Sequence, residues 1–283
     1  MARCEVSLPH SPWSEAGGDF AIGLRPIPEA AWLEGGEADP AARKDPLMAA
    51  HPAIVWGETP GSREAQAEAL TLVEAVRGAQ AGEAGLPPLL AAARRVSDDL
   101  CLMELRDGVW RLTALSLCAP SFFTAQAAQG KSLAELHAPV DGFEPRFGGR
   151  LERIFSGLRA GLILERRNWT VVNSDALFTP DSAPIRAQIS QISPIEAGQV
   201  LHLRVERQTL RRLPATGGAL FTIRIWRAPL ETLDQDPERL AAFARAWRGA
   251  TAEFRNYKGF ASYDMLVEGF LRARGESYSV NEV

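Results

Sequence analysis

The sequence lacks the short motifs that mark several large enzyme classes. It contains no GxGxxG after a predicted strand, no GxxxxGKS/T, no HExxH and no GxSxG, which are the signatures of nicotinamide enzymes, P-loop proteins, zincin proteases and serine hydrolases. It also lacks an apolar run of the roughly 18 to 20 residues that span a membrane, and its first residues lack the apolar core of a secretory signal. We therefore expect a cytoplasmic protein that makes no use of a membrane.

Cysteine and histidine are both scarce. Cys4, Cys101 and Cys118 are odd in number, widely spaced and without a CxxC pair, which argues against a disulfide framework, a zinc site or a self-contained iron–sulfur cluster. With only four histidines, few positions are available for a metal ligand or a proton-transfer base. The formal net charge of −4 provides no overall attraction to nucleic acid.

What is present favours a globular α+β fold. At 283 residues, with 46% hydrophobic and 23% charged content, the chain can bury a sizeable core. Consecutive hairpins are interrupted by a helical crossing and flanked by helices, which is typical of an α+β protein. We divide the chain into an N-terminal loop and helical region (1–95), a strand-rich core (96–228) and a C-terminal helical region (229–283) packed on the core as one structural unit.

Helix signals surround the predicted strands. A helix is expected from Ser62, as its N-cap, to Val76. Ser132 and Glu135 form a capping box for the short segment SLAELH, which places His137 on the last helical turn. Further helices are predicted at 88–95, at 151–159, from Asp236 and Pro237 onward, and from Ser262 to Gly275.

Strand signals form two hairpins and a single strand. LCLMEL and VWRLTALSLC flank an Asp107-Gly108 turn, and ILERRNWTVV is a further strand. In the segment 201–225, Leu203 and Val205 alternate with Glu206, and a row of Phe221, Ile223 and Ile225 is expected to face the apolar residues. The segment 180–198 is predicted to be a long irregular connection.

Arginines are concentrated in the second hairpin. The guanidinium fork suits carboxylates or phosphates, so the group could bind an anionic ligand. The alternative is an ordinary set of cross-strand ion pairs on a solvated face, joining Glu206 to Arg204 or Arg224. The members of the group are Arg207, Arg211, Arg212 and Arg224.

His137 is the most distinctive of the histidines. Its helical neighbours at i−4 and i−3, Leu133 and Ala134, are apolar, so the imidazole is expected to point toward a buried surface. A single histidine in an apolar wall is what a haem iron requires. The alternative is a histidine bonded to a carbonyl at a helix C-terminus, which is a common structural arrangement. Cys118 is a competing axial ligand, or else a small buried structural thiol.

Six sequence blocks, taken in order, resemble the haem-dependent oxidative N-demethylase family, which includes the haem subunit of dimethylamine monooxygenase. The resemblance extends from about residue 20 to residue 259, and ELHAPV and ERQTLRRLP are its most specific pieces. The blocks are VSDDLCLM (96–103), WRLTALSLCAPS (110–121), GKSLAELHAPV (130–140), RNWTVVNSDALF (167–178), LRVERQTLRRLPATGGALFTIR (203–224) and YKG (257–259).

The resemblance implies a PAS-like antiparallel sheet that holds haem b, with 96–228 as the haem-binding core. It implies that dioxygen and electrons from a separate reductase are used to oxidise the N-methyl group of a small methylated amine, with release of formaldehyde. His137 becomes the axial iron ligand. Glu206, and less so Asp175, becomes the carboxylate that attracts a cationic amine. The haem propionates would be anchored by Arg207, Arg211 and Arg224.

One segment departs from the family pattern. Phe122 stands in place of a Trp, and Ala127 and Ala128 stand in place of a Glu-Lys pair. If this segment borders the haem or the substrate channel, we expect a different amine or a different partner. Two other functions stay open: a haem-PAS gas or redox sensor without turnover, and a haem-free scaffold subunit that binds a small molecule.

Overall fold

The computed structural model describes residues 8–16, 22–79, 85–138 and 148–276. Their strands form one seven-stranded sheet in the order β1-β5-β6-β7-β3-β4-β2, with every pair antiparallel. Helices pack on both sides, which confirms the α+β prediction. The strands are β1 (Arg25–Ile27), β2 (Trp56–Glu58), β3 (Asp99–Arg106), β4 (Val109–Ser116), β5 (Ile163–Val172), β6 (His202–Arg212) and β7 (Ala219–Pro229).

The helices precede the sheet strands, cross between them and follow them. The first five are α1 (Pro12–Ala16), α2 (Pro40–Ala50), α3 (Pro52–Val55), α4 (Arg63–Arg77) and α5 (Pro88–Ala93). Between β4 and β6 lie α6 (Ala125–Ala128), α7 (Leu133–His137), α8 (Gly149–Gly157), α9 (Ala183–Arg186) and α10 (Ala197–Val200). After β7 come α11 (Pro237–Arg248), α12 (Ala252–Lys258) and α13 (Asp264–Arg272). Short 3-10 helices cover Glu29–Ala31, Ile189–Gln191, Leu230–Gln235 and Phe260–Ser262.

Some local predictions are confirmed and others are corrected. Asp107 and Gly108 both have positive φ, 52° and 77°, as the two-residue turn of a tight hairpin requires. The helix predicted from Ser62 begins at Arg63, but the Ser62 hydroxyl donates to the Thr59 carbonyl at 2.9 Å instead of capping the helix. The segment 180–198, predicted to be irregular, contains three short helical turns.

The sheet has two different faces, which alternate along β6. The closed face carries Leu203, Val205, Arg207, Thr209 and Arg211, all of them buried. The opposite side, here called the open face, carries Arg204, Glu206, Gln208, Leu210 and Arg212, three of which are only half-buried. The alternation predicted from the sequence for Leu203, Val205 and Glu206 is therefore confirmed.

The prediction for Phe221, Ile223 and Ile225 is wrong. In the β6–β7 register, Phe221 pairs with Leu210, Ile223 with Gln208 and Ile225 with Glu206. Directly opposed residues project from the same face of a sheet, so this apolar row lies on the open face and not beside Leu203 and Val205. The reason is the connection 213–218, whose conformation fixes which residues become partners.

Separate apolar clusters cover the two faces. On the closed face, the residues of β5 to β7 near Trp169 pack against α11 and α13, and those near Leu220 pack against Trp32 and helices α4 and α5. On the open face, α6, α7 and α8 contribute residues to a third cluster, which includes Leu133, Phe155 and Leu210. The three helices cover this face only in part.

Strands from the first predicted region enter the same sheet as the core. β1 pairs with β5, and β2 pairs with β4. The division at residues 95 and 228 stays a prediction. Among the residues that the structure describes, no helix has the length and apolar character needed to cross a bilayer.

Candidate functional site

A capping box fixes the start of the helix that carries His137. The backbone N–H of Glu135 donates to the Ser132 hydroxyl at 3.2 Å, and the N–H of Ser132 donates to the Glu135 carboxylate at 2.7 Å. This arrangement satisfies two N–H groups that a helix N-terminus leaves unpaired, and it confirms the prediction from the sequence. Because Ser132 also bridges to Arg111 of β4 and Leu133 is buried, α7 is anchored on the open face.

The His137 ring has a defined tautomer. Its Nδ1 lies 2.8 Å from the Leu133 carbonyl oxygen, and because a carbonyl can only accept, Nδ1 must carry the hydrogen. The neutral imidazole then has its lone pair on Nε2, which is the form that ligates a metal. The ring is half-buried, with Leu133 inside and Ala134 exposed, so only one of its two apolar neighbours faces the core. The imidazole lies at the edge of the buried surface.

Glu206 lies on the open face within a hydrogen-bonded group. Its carboxylate accepts from the Ser121 hydroxyl at 2.6 Å and from the Gln208 amide at 3.2 Å. Arg204 donates to the same hydroxyl at 3.1 Å. Burial raises the pKa of Glu206, but the charges of Lys258 and Arg204, the hydrogen bond from Ser121 and the charge of Arg166 outweigh this effect, so the net pKa is lowered. Glu206 is therefore a carboxylate at neutral pH.

Arg166, Tyr257 and Lys258 complete a polar group around Glu206. Arg166 opposes Gln208 across β5 and β6, so it lies on the open face beside Glu206. Burial lowers the pKa of its guanidinium, and the charge of Glu206 opposes that shift. The Lys258 ammonium lies 5.1 Å from the ring of Tyr257. Burial lowers the pKa of Lys258 to about 8, again against the attraction of Glu206.

These side chains form a partly buried polar surface, here called the recess. Tyr257 keeps 43% of its surface exposed, and Glu206, Arg166 and Lys258 are half-buried. Burial is nevertheless the largest influence on the pKa of each group. Titratable groups whose pKa values are perturbed by burial and by neighbouring charges are a mark of functional sites.

Half-buried apolar side chains occupy the rest of the open face. Phe221 and Ile223 of β7 and Leu164 of β5 pack at the margin of the third apolar cluster and keep part of their surface exposed. Leu136 of α7, next to His137, does the same. A flat apolar ligand with acidic groups would meet hydrophobic contacts here and polar contacts at Arg166. The described residues therefore fit a haem better than they fit a bare metal ion, and they contain no cluster of metal-ligating side chains.

The segment that departs from the family pattern borders this polar group. Phe122 has a φ of 67°, a left-handed conformation that is strained for a bulky residue. Its N–H donates to the Thr179 carbonyl at 2.9 Å, and Ser121 beside it contacts Glu206. Ala128 is buried in the third apolar cluster, while Ala127 is exposed. Phe122 is thus the chain neighbour of a residue that contacts Glu206.

Arg207 and Arg211 lie on the closed face and contact protein acceptors. Arg207 is buried, pairs with Glu165 through its Nε and donates to the Trp32 carbonyl at 2.7 Å. Arg211 pairs with Glu29 at 2.6 Å and stacks over the Trp32 ring at 4.2 Å. Neither residue shares a face of the sheet with Glu206.

Arg224 lies on the closed face as well. It is the cross-strand partner of Arg207, and its guanidinium packs so closely on Gly36 that an added Cβ there would lie 2.8 Å from it. Burial lowers the pKa of Arg224, and Asp98 opposes this shift. The ion pairs expected between Glu206 and Arg204 or Arg224 are not formed among the described residues. The assignment of propionates to Arg207, Arg211 and Arg224 stays a prediction, and it places them on the sheet face opposite α7.

Cys118 and Asp175 lie outside the polar group. Cys118 is buried, and burial raises the pKa of its thiol to about 11, so it is protonated at neutral pH, as a structural thiol would be. It lines a groove of about 320 Å³ together with Lys44, Met48 and Leu90. Asp175 is exposed, and its charge acts on His202 and Arg227.

Sequence reasoning did not assign roles to Arg166, Tyr257 and Lys258. Tyr257 and Lys258 were within the block YKG, and Arg166 precedes the block RNWTVVNSDALF by one residue. The available signal was alternation in β5, which puts Arg166 on the same side as Leu164 and opposite to Glu165. No local pattern indicates that α12 returns to the sheet near Glu206.

We expect Lys258 to titrate near pH 8. Lys44, Lys131 and Lys258 are the three lysines of the sequence, so NMR of protein labelled at lysine can resolve it, and Lys258→Arg assigns the signal. Glu206→Gln should lower the Lys258 pKa further because a negative charge is lost, and Arg166→Gln should raise it because a positive charge is lost. An unchanged Lys258 pKa in both variants would contradict this electrostatic coupling.

A family model provides an independent comparison. The model described as haem-dependent oxidative N-demethylase, alpha subunit-like, matches residues 74–267. This range is more than half of the 283 residues. It includes β3 to β7 and helices α7 and α12, and therefore His137 and all members of the polar group on the open face.

Proposed function

Because the chain belongs to the haem-dependent oxidative N-demethylase, alpha subunit-like family, we propose that it binds haem b on the open face and oxidises the N-methyl group of a small methylated amine. The observation that carries the proposal is the combination, on the same face of the sheet, of a histidine oriented by the Leu133 carbonyl with a surface of apolar and polar side chains. The alpha-subunit description implies a partner subunit.

We propose that the core between residues 96 and 228 is a PAS-like haem-binding unit. The antiparallel strands β3 to β7 and the helices α6 to α8 on the open face are the elements that would enclose the cofactor. His137 would hold the haem iron, because its Nδ1–H is bonded to the Leu133 carbonyl and such a bond orients a ligating imidazole. The capping box of α7 would keep this helix, and therefore the ring, in place.

When bound, haem supplies the activation of dioxygen. The residues of this chain bind and orient the amine. Glu206 is ionised, and its carboxylate can accept further hydrogen bonds besides those from Ser121 and Gln208. It can therefore accept a hydrogen bond from an N–H group of the substrate. Lys258, with its lowered pKa, can hold or release a proton close to neutral pH. The apolar side chains of Phe221 and Ile223 would exclude water from the methyl group.

Electrons would come from a separate reductase, since the chain has no dinucleotide fingerprint. Dimethylamine is the substrate that the family resemblance favours. Phe122 replaces the Trp of the family pattern next to Ser121, which contacts Glu206, and this difference favours an amine other than dimethylamine or a different partner. The cytoplasmic location stays a prediction from the sequence.

The test is a spectrum followed by a turnover assay. The full chain is produced with haem supplementation, and we expect a Soret band at about one haem per chain. With a reductant or a donor protein, at least one of a panel of methylated amines should then yield formaldehyde over time. A haem-free preparation is the control. Spectral perturbation by amines without formaldehyde would favour a sensor, and a chain that takes up no haem would favour a scaffold that binds a small molecule.

A further inference from the structure

Two adjacent arginines of β5 differ in how their charge is satisfied. Arg167 lies on the closed face, and although its Nε is buried without a partner, its terminal nitrogens pair with Glu165 at 2.9 Å and with Glu15 at 3.6 Å. Arg166 lies on the open face, its Nε is buried, and none of its three guanidinium nitrogens makes a hydrogen bond or an ion pair among the described residues. Buried donors of native proteins are almost always bonded, and an unpaired buried charge is costly. The position of Arg166 therefore indicates an acceptor that the chain itself does not supply.

Lys258 ends α12, and its ammonium lies 5.1 Å from the Tyr257 ring and 5.7 Å from the Phe254 ring. The charge of Glu206 favours the charged forms of Arg166 and Lys258, and the charge of Arg166 lowers the pKa of Lys258. Glu206 already accepts bonds from Ser121 and Gln208. One carboxylate therefore faces two cations, with Arg204 as a third nearby. The recess has a surplus of positive charge, which an anion would neutralise.

The neighbours of Arg166 define the rest of the ligand. Leu164 lies two residues before Arg166 on β5 and projects from the same face. Gln208 of β6 pairs with Arg166 on one side and with Ile223 of β7 on the other, so Ile223 also projects from this face. Both are half-buried and apolar. A compact, fully hydrated anion such as phosphate would leave these side chains without contacts, and Glu206 would repel its second charge. The surroundings instead suit a singly charged head on an apolar body.

We propose that Arg166 and Lys258 bind a carboxylate on the open face of the sheet. The guanidinium of Arg166 can donate hydrogen bonds to both carboxylate oxygens, and the ammonium of Lys258 adds a second positive charge. The carboxylate can belong to a haem propionate or to the substrate, which would then be an N-methylated amino acid. This choice of sources rests on the proposed function, whereas carboxylate binding itself does not.

The first arm of the test measures ligand binding. Calorimetry on the full chain, as purified and after loading with haem, compares N,N-dimethylglycine, dimethylamine and inorganic phosphate. If the substrate supplies the carboxylate, dimethylglycine binds the haem-loaded chain, and Arg166→Gln weakens it by roughly 10- to 100-fold, the effect of losing a charged hydrogen bond. Dimethylamine binding should change much less.

The second arm compares haem with haem dimethyl ester, in which both propionates are blocked. Each is titrated into the haem-free full chain and followed by absorption. If a propionate is the ligand, the wild type prefers haem by roughly 10- to 100-fold, and Arg166→Gln removes that preference while it leaves the ester affinity unchanged. A chain that binds neither porphyrin but does bind dimethylglycine would contradict the proposed function and support the carboxylate site.

Arg245 provides the matched control, because it is exposed on α11 and Arg245→Gln removes the same charge elsewhere. If Arg166→Gln does not fold, as judged by circular dichroism, Lys258→Gln is tested in its place, with the same losses expected but smaller. Equal behaviour of wild type and Arg166→Gln in both arms would overturn the proposal. So would phosphate binding as tight as that of dimethylglycine.

Discussion

Replacing His137 with alanine is expected to abolish stoichiometric haem binding. Mutating a residue that hydrogen-bonds a metal ligand lowers the metal affinity by roughly 10- to 100-fold. The haem affinity should fall by more than this in His137→Ala, because the ligand itself is removed. Haem is titrated into the haem-free protein, and the Soret band gives the affinity. Folding should be preserved, since His137 is a half-buried residue on the last turn of α7.

Two further variants separate ligation from structure. His137→Gly, supplied with free imidazole, should recover much of the Soret band, because imidazole offers the same lone-pair nitrogen and an N–H that can donate to the Leu133 carbonyl. His51→Ala is the control, since His51 is exposed and stacks on Phe178 at 5.2 Å. An unchanged ferric spectrum in His137→Ala would refute the ligand assignment and direct attention to Cys118.

The parts of the site that depend on local sequence could be predicted. The capping box of α7 needs only Ser132 and Glu135, three residues apart, and both bonds are formed. The alternation of Leu203, Val205 and Glu206 needs only the two-residue period of a strand. In both cases the interacting atoms belong to neighbouring residues, so the physics that decides the structure is present in a short window of sequence.

The parts that depend on distant partners could not be predicted. Arg207 was grouped with an anion site by its neighbours, but its acceptors are Glu165 and the Trp32 carbonyl, 42 and 175 residues away. Lys258 reaches the recess only because α12 packs back on the sheet. The register of β6 and β7 turned the row that contains Ile223 to the open face. Strand order and register decide these contacts, and no local periodicity encodes them.

The same geometry separates the roles of two arginines that the sequence does not distinguish. Arg207 is enclosed by acids and carbonyls of its own chain, and Arg166 has a buried donor without a bond among the described residues. A fold stabilises a buried guanidinium when partners surround it, whereas an unsatisfied one is retained where a ligand completes the site. Stability should therefore depend on Arg207, and ligand binding on Arg166.

Arg207→Met is expected to destabilise the fold by about 3–5 kcal/mol, the cost of removing one partner of a buried ion pair. Glu165 is 2% exposed, so its carboxylate would lose its closest buried partner. The free energy of unfolding is measured in urea for the haem-free chain. Glu165→Gln should destabilise the fold by a comparable amount, because it leaves Arg207 as the uncompensated charge.

Haem titration of the same variant then decides between the two placements of the propionates. If Arg207 supports the closed face, folded Arg207→Met should bind haem with nearly the wild-type affinity, and Arg245→Met should match the wild type in both measurements. If Arg207 anchors a propionate, haem affinity should fall in Arg207→Met, whereas the affinity for haem dimethyl ester should not. A variant with wild-type stability and weakened haem binding would contradict the geometry of the closed face, where Glu165, Ala31 and Trp32 engage all three guanidinium nitrogens of Arg207.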